Sequence, residues 1–126
     1  MAIRYFTVAE ANAALPRLNL LLQQIWQSRQ KITDSQPELW PILRNAVHNG
    51  GSKKAGAFLA EFDRLQQAVQ QIEKIGALLK DPDIGLIDFL HRQPDGHEVY
   101  LCWHYGEPEV VAWHEKDEGF SGRRPF

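Results

Sequence analysis

The sequence predicts an α+β fold: a long helical hairpin with a short intervening helix, packed on a three-stranded antiparallel β-meander and an ordered C-terminal tail. Over most of residues 1–79, apolar residues recur every three or four positions, as in amphipathic helices. Beyond residue 80 the pattern changes to short runs rich in aromatic and β-branched residues, separated by Gly and Pro turns. The length of 126 residues predicts a single domain, with a helical part over 1–79 and the β-meander and tail over 80–126.

The first helix is predicted directly after Thr7. Thr7 and Glu10 match the capping box, in which a hydroxyl and a carboxylate each satisfy a free backbone N–H group. Because Pro16 lacks an amide hydrogen, we expect a short helix, a bend near Leu15, and then a long amphipathic helix that ends near Asp34 or Ser35.

Two further helices are predicted. A short one covers about residues 38–48 and ends at a glycine-rich stretch. The next should pack against the first long helix, because its apolar residues form a heptad seam. The seam consists of Phe58, Phe62, Leu65, Val69, Ile72, Gly76 and Leu79.

Three strands are predicted at residues 86–92, 97–104 and 109–114, joined by four-residue turns. The register that these turns imply places Phe89, Tyr100 and Trp113 on one face. It places Asp88 and His114 diagonally on the other face, too far apart for direct contact. Both faces are apolar, and helices can cover only one of them. We therefore expect a homo-oligomer, most simply a dimer, unless the aromatic residues of the tail fold back over the second face.

Asp88 is the polar residue that most needs a partner, because a charge on an apolar face is costly unless it is paired. One interpretation is a small ligand or metal held between Asp88 and His114. The favoured one is a clamp to an arginine of the tail, Arg123 or Arg124. Cys102 is interpreted as inert packing.

A metal site is the less favoured interpretation of the histidines at 91 and 97 and the glutamates at 98 and 115. Their spacing matches no established set of metal ligands. The sequence therefore predicts no metal and no cofactor.

The charge distribution excludes some partners. The net charge is −2, which gives no general attraction for nucleic acid, so nucleic-acid binding is not expected. Residues 1–79 hold nine Lys and Arg against six Asp and Glu, whereas residues 80–126 hold five Lys and Arg against ten Asp and Glu.

No apolar run approaches the roughly 20 residues of a membrane span. The single Cys fits a reducing compartment, so a cytoplasmic location is expected.

Several strings of residues together resemble an uncharacterised, mainly bacterial family, domain of unknown function 2203. The strings are Tyr5 to Val8, Glu10 to Asn12, Leu15-Pro16, Lys80-Asp81, Gly85 to Phe89, Glu98 to Trp103, Gly106 to Glu109, Trp113-His114 and Gly119 to Arg123. The resemblance implies no activity. The resemblance favours, as binding residues, those side chains that lie within these strings over the histidines that lie outside them. The resulting candidate binding residues are Asp88, Glu98, Trp103, Glu107, His114 and Arg123.

The sequence thus favours a small cytoplasmic oligomerising or ligand-binding module without catalysis, with a small molecule or an anion as ligand. No nucleophile with a plausible base and no nucleotide-binding loop are evident. The alternative is an enzyme, with hydrolysis as the candidate reaction. In it His114 would act as acid and base, Asp88 or Glu107 would orient it, and Arg123 would bind an anion.

Overall fold

The computed structural model describes residues 3–35, 41, 44 and 59–126. Two helices and five strands make up the described fold, which confirms the α+β class. They are α1 (Val8–Ser35), α2 (Leu59–Ile75), β1 (Leu78–Asp81), β2 (Leu86–Arg92), β3 (Glu98–His104), β4 (Ala112–Glu115) and β5 (Arg124–Pro125). The chain divides into two compact units, Met1–Asn19 with Ile72–Phe126, and Leu20–Gln71.

Helix α1 begins at the predicted cap. The Glu10 amide donates to the Thr7 hydroxyl over 3.0 Å, and the Thr7 amide donates to the Glu10 carboxylate over 2.9 Å. The hydrogen bonds from Thr7 lower the pKa of Glu10. The predicted separation into two helices is wrong, because α1 continues through Pro16. A proline removes one hydrogen bond from the ladder, and the rest of a 28-residue helix outweighs that loss.

The unit Leu20–Gln71 contains the second part of α1 and most of α2. Each of these helices buries one apolar stripe, and Lys31 of α1 forms an ion pair of 3.4 Å with Glu61 of α2. Four residues of the predicted seam lie on α2 and are buried, as the heptad pattern predicts: Phe62, Leu65, Val69 and Ile72. The prediction was wrong for Leu79, which lies on β1 and is half-buried. The helix predicted over 38–48 lies outside the described residues, apart from the helical backbone of Pro41 and Arg44.

Gly76 ends α2 and is not a member of its seam. Its φ of +97° lies in the left-handed region, which glycine adopts without strain. A Cβ at this position would meet the side chain of Arg4 at 3.0 Å and the ring of Phe6 at 3.4 Å. The turn after α2 therefore needs glycine both for its backbone conformation and for the close approach of the N-terminal segment.

The sheet is a five-stranded antiparallel meander in the order β1-β2-β3-β4-β5. Its three central strands correspond to the three predicted ones, and the bounds of β2 are as predicted. Two outer strands were missed. β1 is only four residues long and directly follows a helix, and β5 has two residues, so neither shows a strand pattern in the sequence.

The predicted register is wrong by one residue on both sides of β3. Arg92 pairs with Glu98, so five residues and not four form the loop between β2 and β3. The loop is closed by a hydrogen bond of 2.8 Å from the Gln93 amide to the carbonyl of His97. A shift of one residue turns every side chain of β3 to the opposite face. Tyr100 and Cys102 consequently share a face with Asp88 and His114.

The other face of the sheet carries the apolar core of the unit Met1–Asn19 with Ile72–Phe126. Phe6 packs edge-on against Phe89, with ring centroids 5.0 Å apart, and both rings are buried. Asn12 of α1 accepts a hydrogen bond from the Val110 amide over 2.7 Å. Fully buried side chains line this face: Ile87, Phe89, Val99, Leu101 and Trp103. Phe6 and the first turns of α1 thus cover the face opposite to the one that holds Asp88.

Neither described helix combines the length and apolar character that a membrane-spanning helix requires.

Candidate functional site

Three buried side chains of different chemistry meet on one face of the sheet. Asp88 lies on β2, Cys102 on β3 and His114 on β4, and Asp88 pairs directly with Cys102 in the register. Their polar atoms all lie within 4.8 Å of one another. No more than 2% of any of these residues is exposed. We call this cluster the buried triad.

The buried triad corrects the predicted geometry of Asp88. Nε2 of His114 lies 3.1 Å from both carboxylate oxygens of Asp88, so the two side chains are in direct contact. On the middle strand, the residue paired with Asp88 is Cys102, whose small side chain leaves room for the contact. The predicted register paired Asp88 with Leu101 instead. The expected clamp between Asp88 and a tail arginine is wrong, because Arg123 pairs with Glu107 and Arg124 pairs with Glu118.

The hydrogen-bond partners of His114 restrict where its protons lie. Nδ1 is 2.7 Å from the backbone carbonyl of Glu115, and a carbonyl can only accept, so Nδ1 carries a hydrogen and donates it. In a neutral imidazole Nε2 is then an acceptor, facing two carboxylate oxygens that are acceptors as well. A proton or another cation must therefore lie between His114 and Asp88.

Cys102 is fully buried, which agrees with its interpretation from the sequence as inert packing, but its polar neighbours were not expected. Burial and the neighbouring carboxylate of Asp88 raise the pKa of its thiol to about 12. The thiol is therefore protonated at neutral pH when no cation is near. No local sequence pattern could have identified it, because its two partners lie on different strands.

The tail is held by a second cluster. Arg123 donates to Glu107 over 2.8 Å, and both side chains are largely buried. The second carboxylate oxygen of Glu107 accepts the His104 amide, and its backbone carbonyl accepts the indole N–H of Trp103 over 2.8 Å. The ring of Phe120 contacts both the ring of His104 and the guanidinium of Arg123. Three candidate residues, Trp103, Glu107 and Arg123, thus form one bonded group that anchors the tail.

Glu98 lies apart from these clusters at the far end of β3. It accepts hydrogen bonds from the Tyr5 hydroxyl and from Lys116, and it forms an ion pair of 3.4 Å with Arg92. The hydrogen bond from Tyr5, followed by that from Lys116, lowers the pKa of Glu98 to about 2. Glu98 therefore ties the N-terminal segment to the sheet.

Acid titration tests this tie. Because the pKa of Glu98 is about 2 in the folded chain against an ordinary value of 4.5, its stabilising effect is complete above pH 4.5 and is lost as the pH falls towards 2. We expect the Glu98→Gln variant to lose less stability than the parent chain across this range, as measured by urea unfolding at several pH values. Glu109→Gln, at a residue that does not contact Glu98, should show the same dependence of stability on pH as the parent chain. Equal slopes for Glu98→Gln and the parent would contradict the assignment.

The histidine-rich group considered from the sequence is dispersed. Glu98 lies on the opposite face from His91 and Glu115, contrary to the predicted row. His91 contacts the Phe6 carbonyl at 2.6 Å, and His97 pairs with Glu115 at 2.7 Å.

A cavity of about 450 Å³ lies beside the buried triad on the same face. Its sheet wall is formed by Leu78, Leu90 and Tyr100. Leu78 pairs with Asp88, and the ring of Tyr100 lies 5.7 Å from that of His114, so one layer of side chains separates the cavity from the triad. The remaining lining residues are Ile3, Arg4, Glu73, Gly76 and Ala77.

The comparison with curated proteins and the comparison with solved structures gave no match. One family model matches, that of the uncharacterised conserved proteins called DUF2203, and it covers residues 4–126. The resemblance seen in the sequence is thereby confirmed, and the chain belongs to the DUF2203 family.

Proposed function

We propose that this chain is a small ligand-binding module without catalytic activity, and that its ligand is a largely apolar small molecule with one anionic group. The observation that carries the proposal is the cavity formed by Leu78, Leu90 and Tyr100. Its volume of about 450 Å³ falls within the range typical of small-molecule sites, about 300–1,000 Å³. Apolar walls with a few charged groups at the edge are also typical of such sites.

The charges around the cavity favour an anion. Arg4 lines it, and its hydrogen bond to the Ile75 carbonyl uses one of the five N–H donors of a guanidinium. The ammonium of Lys80 lies 5.5 Å from the ring centre of Tyr100, which forms the cavity wall. Glu73 is the one acidic residue of the lining. Two positively charged side chains and one carboxylate thus lie at the cavity, and this net positive charge favours an anionic ligand.

The alternative of a hydrolytic enzyme has less support. A general acid or base must reach the substrate with a free ring nitrogen. Both ring nitrogens of His114 are engaged, by Glu115 and by Asp88, and its side chain is 3% exposed. Arg123, the expected anion site, is neutralised by Glu107.

Binding of 1-anilinonaphthalene-8-sulfonate tests the proposal, because this probe has apolar rings and one sulfonate. We expect saturable binding, followed by fluorescence, that weakens at least about tenfold in Leu78→Glu, since a second carboxylate would repel the sulfonate. Ile84→Glu is the matched control: Ile84 is 48% exposed, against 37% for Leu78, and lies outside the cavity.

Arg4→Gln separates charge from shape. This variant should weaken binding of the sulfonate probe but not that of the uncharged N-phenyl-1-naphthylamine. Absence of saturable binding to the parent chain, or equal losses in Leu78→Glu and Ile84→Glu, would refute the proposal.

We further propose that the chain acts as a single cytoplasmic domain that associates as a homodimer. Support comes from apolar side chains exposed away from the cavity, Val111 at 39% and Phe120 at 45%, which a second copy would cover. Sedimentation at micromolar concentration tests this, and a monomer alone would contradict it.

A further inference from the structure

We infer that the buried triad is a binding site for one thiophilic divalent cation of the zinc type, with Asp88, Cys102 and His114 as its protein ligands. The site is independent of the small-molecule cavity, which has other lining residues. The inference rests on the identity of the three side chains, on their separations, and on the hydrogen bond at the far side of His114.

The separations suit a small tetrahedral ion. Two ligand atoms that each lie about 2.1 Å from a tetrahedral zinc ion are about 3.4 Å apart. Nε2 of His114 is 3.1 Å from the oxygens of Asp88, and all three polar atoms lie within 4.8 Å. Shifts of a few tenths of an ångström to about one ångström, within reach of side-chain rotation, would close the site around an ion.

His114 is oriented as metal-ligating histidines are. Such histidines donate their second ring N–H to a carboxylate or a backbone carbonyl, which fixes the tautomer and points the other nitrogen at the metal. Here Nδ1 donates to the carbonyl of Glu115. The peptide of Glu115 is itself held, because its amide donates to Glu118 over 3.0 Å and Arg124 binds the same carboxylate. The nitrogen that faces Asp88 and Cys102 is therefore the one available for a cation.

Burial makes a cation at this place favourable. With Nε2 as an acceptor, three electron-rich groups from three strands face one another where water is largely excluded. A divalent ion removes the repulsion between them, and it also takes the place of the thiol proton of Cys102. In the metal-free chain the proton between His114 and Asp88 and the thiol proton of Cys102 do this instead.

The donor set selects the kind of metal. A thiolate and an imidazole favour zinc over magnesium or calcium, which prefer oxygen ligands only. Three protein ligands leave one coordination position for water or for a further ligand. Because the ligands lie on hydrogen-bonded neighbouring strands, the site is largely formed before the ion binds.

Cobalt titration provides the test. The purified chain is reduced, stripped with a chelator and titrated with Co²⁺ alone. We expect one Co²⁺ per chain, the visible bands of tetrahedral cobalt, and a near-ultraviolet sulfur-to-cobalt charge-transfer band. Because Cys102 is the only cysteine, that band can arise from no other residue. Zn²⁺ should displace Co²⁺, as expected from their relative affinities.

Variants define the ligands. Cys102→Ser should abolish the charge-transfer band, and Asp88→Asn and His114→Asn should each weaken Co²⁺ binding at least about tenfold. His97→Asn is the matched control, because His97 also pairs with a carboxylate, 2.7 Å away, but lies outside the triad. Its spectrum should be unchanged.

A parent chain that is folded by circular dichroism but shows no charge-transfer band at saturating Co²⁺ would overturn the inference. This measurement does not depend on whether the variants fold. Equal losses in His97→Asn and His114→Asn would overturn it as well.

Discussion

Replacing His114 by leucine is expected to lower the free energy of unfolding by about 3–5 kcal/mol, measured by urea unfolding in the presence of a chelator. The substitution leaves the carboxylate of Asp88 buried without its nitrogen partner, and removing one member of a buried polar pair has a cost of this size. His97→Leu is the control: His97 also pairs with a carboxylate, but its side chain is 50% exposed. Its loss should stay below about 1 kcal/mol.

A double-mutant cycle makes the test specific to the pair. Replacing both Asp88 and His114 by leucine removes the unpaired carboxylate together with its partner. We therefore expect the double variant to lose clearly less stability than the sum of the two single variants. Additive losses would show that the two side chains do not depend on each other. A small loss in His114→Leu alone would show that Asp88 does not depend on His114 as its buried partner.

Trp103→Ala is expected to destabilise the fold by a similar amount, about 3–5 kcal/mol, because it removes a fully buried indole from the apolar face of the sheet. It also deprives the Glu107 carbonyl of its N–H donor. Urea unfolding measures the loss, and Val111→Ala, at a residue 39% exposed, should stay within about 0.5 kcal/mol of the parent chain.

A second substitution at this position, Trp103→Phe, distinguishes a structural role of Trp103 from the binding role expected from the sequence. Trp103→Phe keeps most of the buried ring and should remain folded while losing some stability. Its Co²⁺ spectrum and its affinity for the sulfonate probe should match those of the parent chain, because Trp103 lies on the opposite face from the buried triad and the cavity. A change in either readout would show that Trp103 takes part in binding.

Much of the local structure could be predicted from the sequence, because its causes are local. The Thr7 and Glu10 cap, the seam of α2 and the bounds of β2 follow from propensity and periodicity within a few residues. The continuation of α1 through Pro16 could not be predicted, because the loss of one hydrogen bond had to be weighed against a whole helix. The strands β1 and β5 could not be predicted either, because only their pairing with β2 and β4 makes these short segments strands.

The candidate site shows the same division. Asp88 and His114 were identified because a charged residue and an imidazole on an apolar strand face need partners. Their direct contact and the position of Cys102 beside them depend on the register of β3, and one additional loop residue changes that register. A register error of one residue leaves the strand pattern intact and exchanges the faces of the sheet, so periodicity alone gives no warning of it.

The sequence by itself determined the α+β class, the order of helices before strands, the family, and the two residues whose burial requires an explanation. The tertiary structure decided which side chains meet: Cys102 with Asp88 and His114, Glu107 with Arg123 and Trp103, and Glu98 with Tyr5. The physical reason is the range of the interactions. Propensity and amphipathicity act within a few residues along the chain, whereas a binding site depends on separations of a few ångströms between strands, which only the paired backbone sets.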